Sequence, residues 1–176
     1  MTEKTCSMCK QTKPLELFEK DKRTKDGRGA RCKLCRNTHY TDPKPYKAFW
    51  RLNEKQKLYD IPVEITKEEV AMLFDGFEGT CIYCGVEESE ETGTMSLEHI
   101  VPMKRGGRHH ISNLVIGCKA CNSKKNDKTL IEFYRTHEPF HIRRLDYIFK
   151  HVAYFTKRTE EEVAKEFFSE VDDGLE

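Results

Sequence analysis

Apolar residues recur at helical spacing in several stretches of the chain and alternate or cluster in others. Tyr46, Phe49 and Leu52 fall on one side of a helix that follows a Pro-containing linker, Tyr40 to Pro45. Thr66 and Glu69 form a capping box that opens a second helix through about Phe74, and Gly76 and Gly79 end it. Met95–Val101 reads as a strand stopped by Pro102, and Asn113–Ile116 reads as its return, with Gly106-Gly107 in the loop between them. A short helix is expected from Lys119 to about Asn126. Leu130, Phe133 and Tyr134 mark another, and Pro139 is expected to start the next, with its stripe at Leu145, Ile148, Phe149, Val152 and Phe155. A capping box at Thr159 and Glu162 precedes Val163, Phe167 and Val171, and Asp172–Glu176 reads as an acidic tail. These stripes predict core packing.

Composition changes the picture in one respect. The 176 residues are 35% charged and only 37% hydrophobic. A large single core is therefore not expected, and bound metal is a common substitute for one. No apolar run approaches the roughly 20 residues that span a bilayer, and the start M-T-E-K-T-C has no apolar leader core. The expectation is a cytosolic protein without membrane partners. Net charge is +1, but its distribution is uneven. Residues 1–60 carry 16 Lys and Arg against 8 Asp and Glu, and residues 96–130 carry 7 against 2. Residues 61–95 carry 1 against 9, and residues 131–176 carry 7 against 11. Two basic blocks divided by an acidic one suit a polyanion partner, because phosphates are neutralised by local charge.

All eight cysteines lie in Cys-x-x-Cys pairs. Such a knuckle aims two thiolates at one point, and two knuckles complete a tetrahedral Zn²⁺ site. Pairing neighbours in sequence gives one site from Cys6, Cys9, Cys32 and Cys35, and another from Cys81, Cys84, Cys118 and Cys121. Four sulfurs leave no open position, so two structural Zn²⁺ are expected; disulfides are disfavoured in a cytosolic chain. Asp26-Gly27 and Gly29 signal a turn inside the first site, which predicts a basic zinc ribbon plugged by Phe18.

Around the second site stand Glu98-His99, Asn113 and Asn122, in M-S-L-E-H-I-V-P and S-N-L-V-I-G-C-K-A-C-N-S-K-K-N. Residues 66 to 130 thereby resemble the HNH nuclease family, in the variant whose third motif residue is asparagine. The first module is similar to the four-cysteine ribbons at the N-terminus of phage HNH and endonuclease VII-like proteins. The resemblance implies an α+β fold: a ββα-metal core framed by a four-cysteine zinc site, with the N-terminal four-cysteine ribbon and C-terminal helices added. It implies His99 as general base, since an imidazole with pKa near ~6.5 takes a proton at neutral pH. Glu98 and Asn122 would hold one catalytic Mg²⁺ or Mn²⁺, and Asn113 would orient His99 or its loop. Arg105, Arg108 and Lys125 are candidate phosphate contacts. His109 and His110 read as loop residues, and His39, His137, His141 and His151 stand at no ligand-like spacing. Strict alternation would point Glu98 and His99 to opposite faces, so both reach one site only if the strand ends or bulges there.

The organisation expected is a ribbon over 1–37, a linker and helix over 38–60, a nuclease core over 61–130 and helices over 131–176. The function implied is an HNH endonuclease of phage or mobile-element type, acting on DNA in a bacterial host cell. It would nick, or cut both strands as a homodimer, and would leave a 5′-phosphate and a 3′-hydroxyl; phage proteins are further candidate partners. The rivals are a catalytically silent zinc-ribbon nucleic-acid-binding protein and a ribonuclease.

Overall fold

The computed structural model describes residues 3–7, 10–33, 35–36 and 44–172. The chain divides into two compact units, Met1–Lys47 and Ala48–Glu176. Its class is α+β.

The first unit is two antiparallel pairs. β1 (Glu3–Thr5) pairs with β2 (Thr12–Pro14), and β3 (Phe18–Lys20) pairs with β4 (Arg28–Cys32) across a shift in register. Gly27 takes the left-handed conformation (φ 67°) at the expected turn, and the Asp21 carboxylate accepts from the Arg23 backbone and guanidinium. Phe18 is wholly buried against Cys6 and Cys32, as the plug the sequence predicts. Of the expected ribbon and linker, Cys9 and residues 37–43 lie outside the described residues, as do residues 173–176 of the expected acidic tail.

The second unit has one core. Helix α1 (Lys44–Tyr59) buries Leu52 in it, and α2 (Lys67–Gly76) buries Val70 and Leu73 behind the predicted capping box of Thr66 and Glu69. β5 (Val63–Glu64) pairs in parallel with β7 (His109–His110), a two-residue pairing too short to leave a pattern in the sequence. The central hairpin is β6 (Met95–His99) with β8 (Leu114–Cys118), in a register running from Met95↔Cys118 to His99↔Leu114. All five residues of β8 are buried. Helices α3 (Lys119–Lys125), α4 (Leu130–Thr136), α5 (Ile142–Thr156) and α6 (Glu160–Asp172) follow.

The return strand is Leu114–Cys118 instead of Asn113–Ile116, and the first helix begins at Lys44 inside the expected linker. Two other boundaries differ from expectation for visible reasons. β6 ends at His99, not Val101, because the Asn113 side chain replaces the partner strand there. Its Oδ1 accepts from Val101 N at 2.7 Å and its Nδ2 donates to Val101 O at 3.1 Å. α5 starts at Ile142, not Pro139, because Phe140 N closes a turn onto His137 O at 2.8 Å. α4 begins with a capping box of Thr129 and Glu132, a third instance of the same sequence signature.

Candidate active site

The hairpin and α3 are tied together by sulfur. Cys81 and Cys84 lie on a turn closed by Gly85 N on Cys81 O at 2.9 Å, with Gly85 left-handed (φ 74°). Ile82 N donates to Ile116 O, which holds that turn beside the end of β8. Cys118 is the N-cap of α3, its Sγ accepting from Cys121 N at 3.4 Å. The four sulfurs lie within 4.8 Å of one another. A tetrahedral Zn²⁺ with bonds near ~2.3 Å needs sulfurs roughly 3.8 Å apart, so the set fits. The Cys121 thiol, donating to Cys81, lowers Cys81 to about 4, and the same interaction raises Cys121. Crowded sulfurs that force one of their number to ionise are the donor set a soft cation satisfies. In the first unit Cys6, Cys32 and Cys35 are gathered in the same way, with Cys32 N donating to Cys6 Sγ at 3.3 Å. Cys9, the expected fourth ligand, lies outside the described residues.

The helices after α3 cover the larger site. His137 is buried, stacks on Phe133, and brings Nε2 to 3.3 Å from Cys121 Sγ. Arg144 of α5 donates to Cys81 O, and its guanidinium lies where a side chain at Gly85 would have to go. Tyr83 packs edge to face on both Phe133 and Phe140. His137 therefore has a partner that its spacing in the sequence did not suggest.

A cavity of about 250 Å³ opens on the face of the hairpin next to α3. Glu98, His99 and Asn122 all line it, together with Lys55 and Tyr59 of α1, Lys104, Lys125 and Asp127. The end of β6 at His99 is what lets two consecutive side chains share it. Glu98 is 9% exposed and accepts from Ser96 Oγ at 3.0 Å. Burial pushes its carboxyl up to about 7, against the opposing pull of Ser96, Lys55 and Lys125. The protein's own cations do not offset that burial, and Glu98 and Asn122, which line the same cavity, are the residues that could offer oxygen donors to a hard cation there. Burial, then His109, Lys55 and Lys125, lower His99 to about 3, which keeps the ring neutral.

Asn113 does not reach this cavity wall. Its amide spans the loop after β6, donating to both Val101 O and Arg108 O. Gly107 lies so close to this clamp that a Cβ there would overlap the Val101 carbonyl oxygen and come within 2.9 Å of Asn113 Nδ2. The three residues expected to meet phosphates are all engaged. Lys125 is buried and donates to His99 O at 3.0 Å, Arg105 donates to Asp127 O at 2.6 Å, and Arg108 pairs with Glu64. Lys104 pairs with Asp127 at 2.7 Å. Lys55 lines the cavity and has no hydrogen bond or ion pair among the described residues. Neither His109 nor His110 is a loop residue as expected; the two make up β7. His109 is wholly buried and meets His99 Nε2 through its own Nδ1 at 2.8 Å.

Residues 81–137 match the family described as HNH endonuclease. No curated protein matches the chain. Among solved structures, the Type II-C Cas9 enzyme from Actinomyces naeslundii is similar at 20% identity with a TM-score of 0.39. That similarity covers 66% of this chain and 12% of the enzyme's.

Proposed function

With residues 81–137 matching the HNH endonucleases, we propose that this chain hydrolyses phosphodiester bonds of DNA, leaving a 5′-phosphate and a 3′-hydroxyl. The observation that carries this reading is the convergence of Glu98, His99 and Asn122 on one cavity beside a four-cysteine frame. Glu98 and Asn122 would hold a divalent cation, Mg²⁺ or Mn²⁺, which when bound stabilises charge on the phosphate and on the departing oxygen. Neutral His99 takes the proton of a water at Nδ1 while the water oxygen bonds to phosphorus and the bond to the 3′ oxygen breaks. The departing 3′ oxygen then takes a proton from solvent to become the hydroxyl. A phosphate brought within ~4–6 Å favours the imidazolium that this transfer forms. Lys55, which has no ion pair among the described residues, supplies a cation for a non-bridging phosphate oxygen. Arg105, Arg108 and Lys125 reach phosphates only by exchanging the partners they now hold.

Supercoiled plasmid tests the reading directly. Wild-type protein with Mg²⁺ or Mn²⁺ should convert it to the nicked form, and chelation should stop the conversion. His99→Ala should retain zinc and lose roughly 10²-fold or more in rate. A His99→Ala protein that nicks as fast as wild type would remove His99 as the base and the reading with it.

A further inference from the structure

The candidate base has a second histidine behind it that the nuclease reading leaves without a role. We propose that His109 is a positioning residue: it accepts the Nε2–H of His99 and so presents the Nδ1 lone pair of His99 to the cavity. This rests on His99 being the base.

A neutral imidazole has one donor nitrogen and one acceptor nitrogen, and which is which follows from their partners. Nε2 of His99 lies 2.8 Å from Nδ1 of His109, with the ring centroids 5.0 Å apart and the planes at 58°. That is an edge-on hydrogen-bond geometry, not a stack. Nδ1 of His99 has no protein partner among the described residues, and the ring lines the cavity. Water can therefore reach His99 only at Nδ1. That nitrogen accepts a proton only if the ring's own proton is on Nε2, and a proton on Nε2 needs an acceptor there. His109 Nδ1 is the group in place.

His109 then carries its own proton on Nε2, which is buried and without a partner among the described residues. An unpartnered buried nitrogen is destabilising, and a leucine or phenylalanine would fill the same space without one. The residue is thus poorly explained as packing and well explained as an acceptor. Its position is fixed from two sides. The backbone of His109 is opposite Val63 in the β5–β7 pair. The loop joining it to His99 is clasped by Asn113 at Val101 and Arg108, next to a Gly107 that admits no side chain. On this view the Asn113 clamp acts by holding the two imidazoles in register.

Three substitutions in the full chain test this. An asparagine places an acceptor oxygen near the former Nδ1, a glutamine places it near the former Nε2, and a phenylalanine offers none. The readouts are plasmid nicking at saturating and limiting DNA, zinc content, and ¹⁵N chemical shifts of the His99 ring. Wild type should show the Nε2–H form of His99. His109→Phe should mix or invert the tautomers and lower kcat roughly 10- to 100-fold, with KM little changed. His109→Asn should recover most of that loss, and His109→Gln should not. A folded His109→Phe that nicks at the wild-type rate, a His109→Asn as poor as the phenylalanine, or a wild-type His99 protonated on Nδ1 would each overturn the proposal. If His109→Phe fails to fold, the asparagine–glutamine contrast and the wild-type spectrum decide. If wild type does not nick at all, the nuclease reading falls, and the spectrum still judges the histidine pair.

Discussion

A single residue can matter here through what it excludes as much as through what it touches. Gly107 to alanine is the smallest change possible, yet its methyl would overlap the Val101 carbonyl and crowd Asn113 Nδ2. The expected cost is roughly 1–3 kcal/mol of stability, from overpacking against backbone that cannot give way. Activity should fall more than stability explains, because the loop joins His99 to His109; urea unfolding and nicking on the same preparation measure the two effects. His137→Phe should keep the stack on Phe133 but remove the nitrogen that meets Cys121 Sγ. Zinc affinity should fall roughly 10-fold or more, read by competition with a coloured chelator. At this scale the sequence was legible where chemistry is written in spacing. The four knuckles, Glu98, His99 and Asn122 needed only to be counted along the chain. His109 and His137 were not legible, because their partners, His99 and Cys121, are 10 and 16 residues away and are met only in three dimensions.

Elements explain how such partners meet. On α1 the buried Leu52 anchors a stripe that continues through Lys55 and Tyr59, one and two turns on, and carries them to the cavity. In the sequence that lysine looks like any solvated helix position, since nothing local says which way the anchored face is turned. The helix was legible, but its destination was not. On α5, His151 Nε2 donates to Ile111 O at 2.9 Å, and burial holds the ring below its ordinary value of 6.5. The unfolded chain therefore binds the extra proton as pH falls through 6.5. The stability contributed by the neutral ring is complete above that pH and is lost below it, at no more than about 1.4 kcal/mol per pH unit. His151→Gln can keep the bond to Ile111 without titrating. Its urea midpoint should drop less than wild type's between pH 7.5 and 5.5, and equal drops would show that His151 contributes nothing to the acid sensitivity.

Across the whole molecule, the main core is drawn from the second unit alone. Every residue of the main buried cluster lies between Leu52 and Phe167. Removing residues 1–43 leaves α1 and all of the candidate site, so the shortened chain should fold and still nick plasmid at saturating DNA. Those 43 residues carry 11 Lys and Arg against 6 Asp and Glu. DNA affinity should weaken on their removal, and the log–log salt dependence should flatten by roughly 0.9 for each phosphate no longer neutralised. Unchanged affinity and slope would assign the ribbon some other partner. No helix among the described residues is long and apolar enough to cross a membrane. The low apolar content read from the sequence is consistent with sulfur clusters that could hold zinc in both units.

The cover over the larger cysteine site has a consequence in time. The chain leaves the ribosome from its N-terminus, so all four sulfurs are outside once Cys121 emerges, while His137 and Arg144, which close over them, are still inside the exit tunnel. During that interval the site is complete but open on the side the last helices will occupy. An ion can enter then without any part of the folded molecule having to part, and the later helices shut the door behind it. Nascent chains stalled just after Cys121 leaves the ribosome should exchange zinc quickly, and chains stalled after Arg144 has emerged should exchange it slowly.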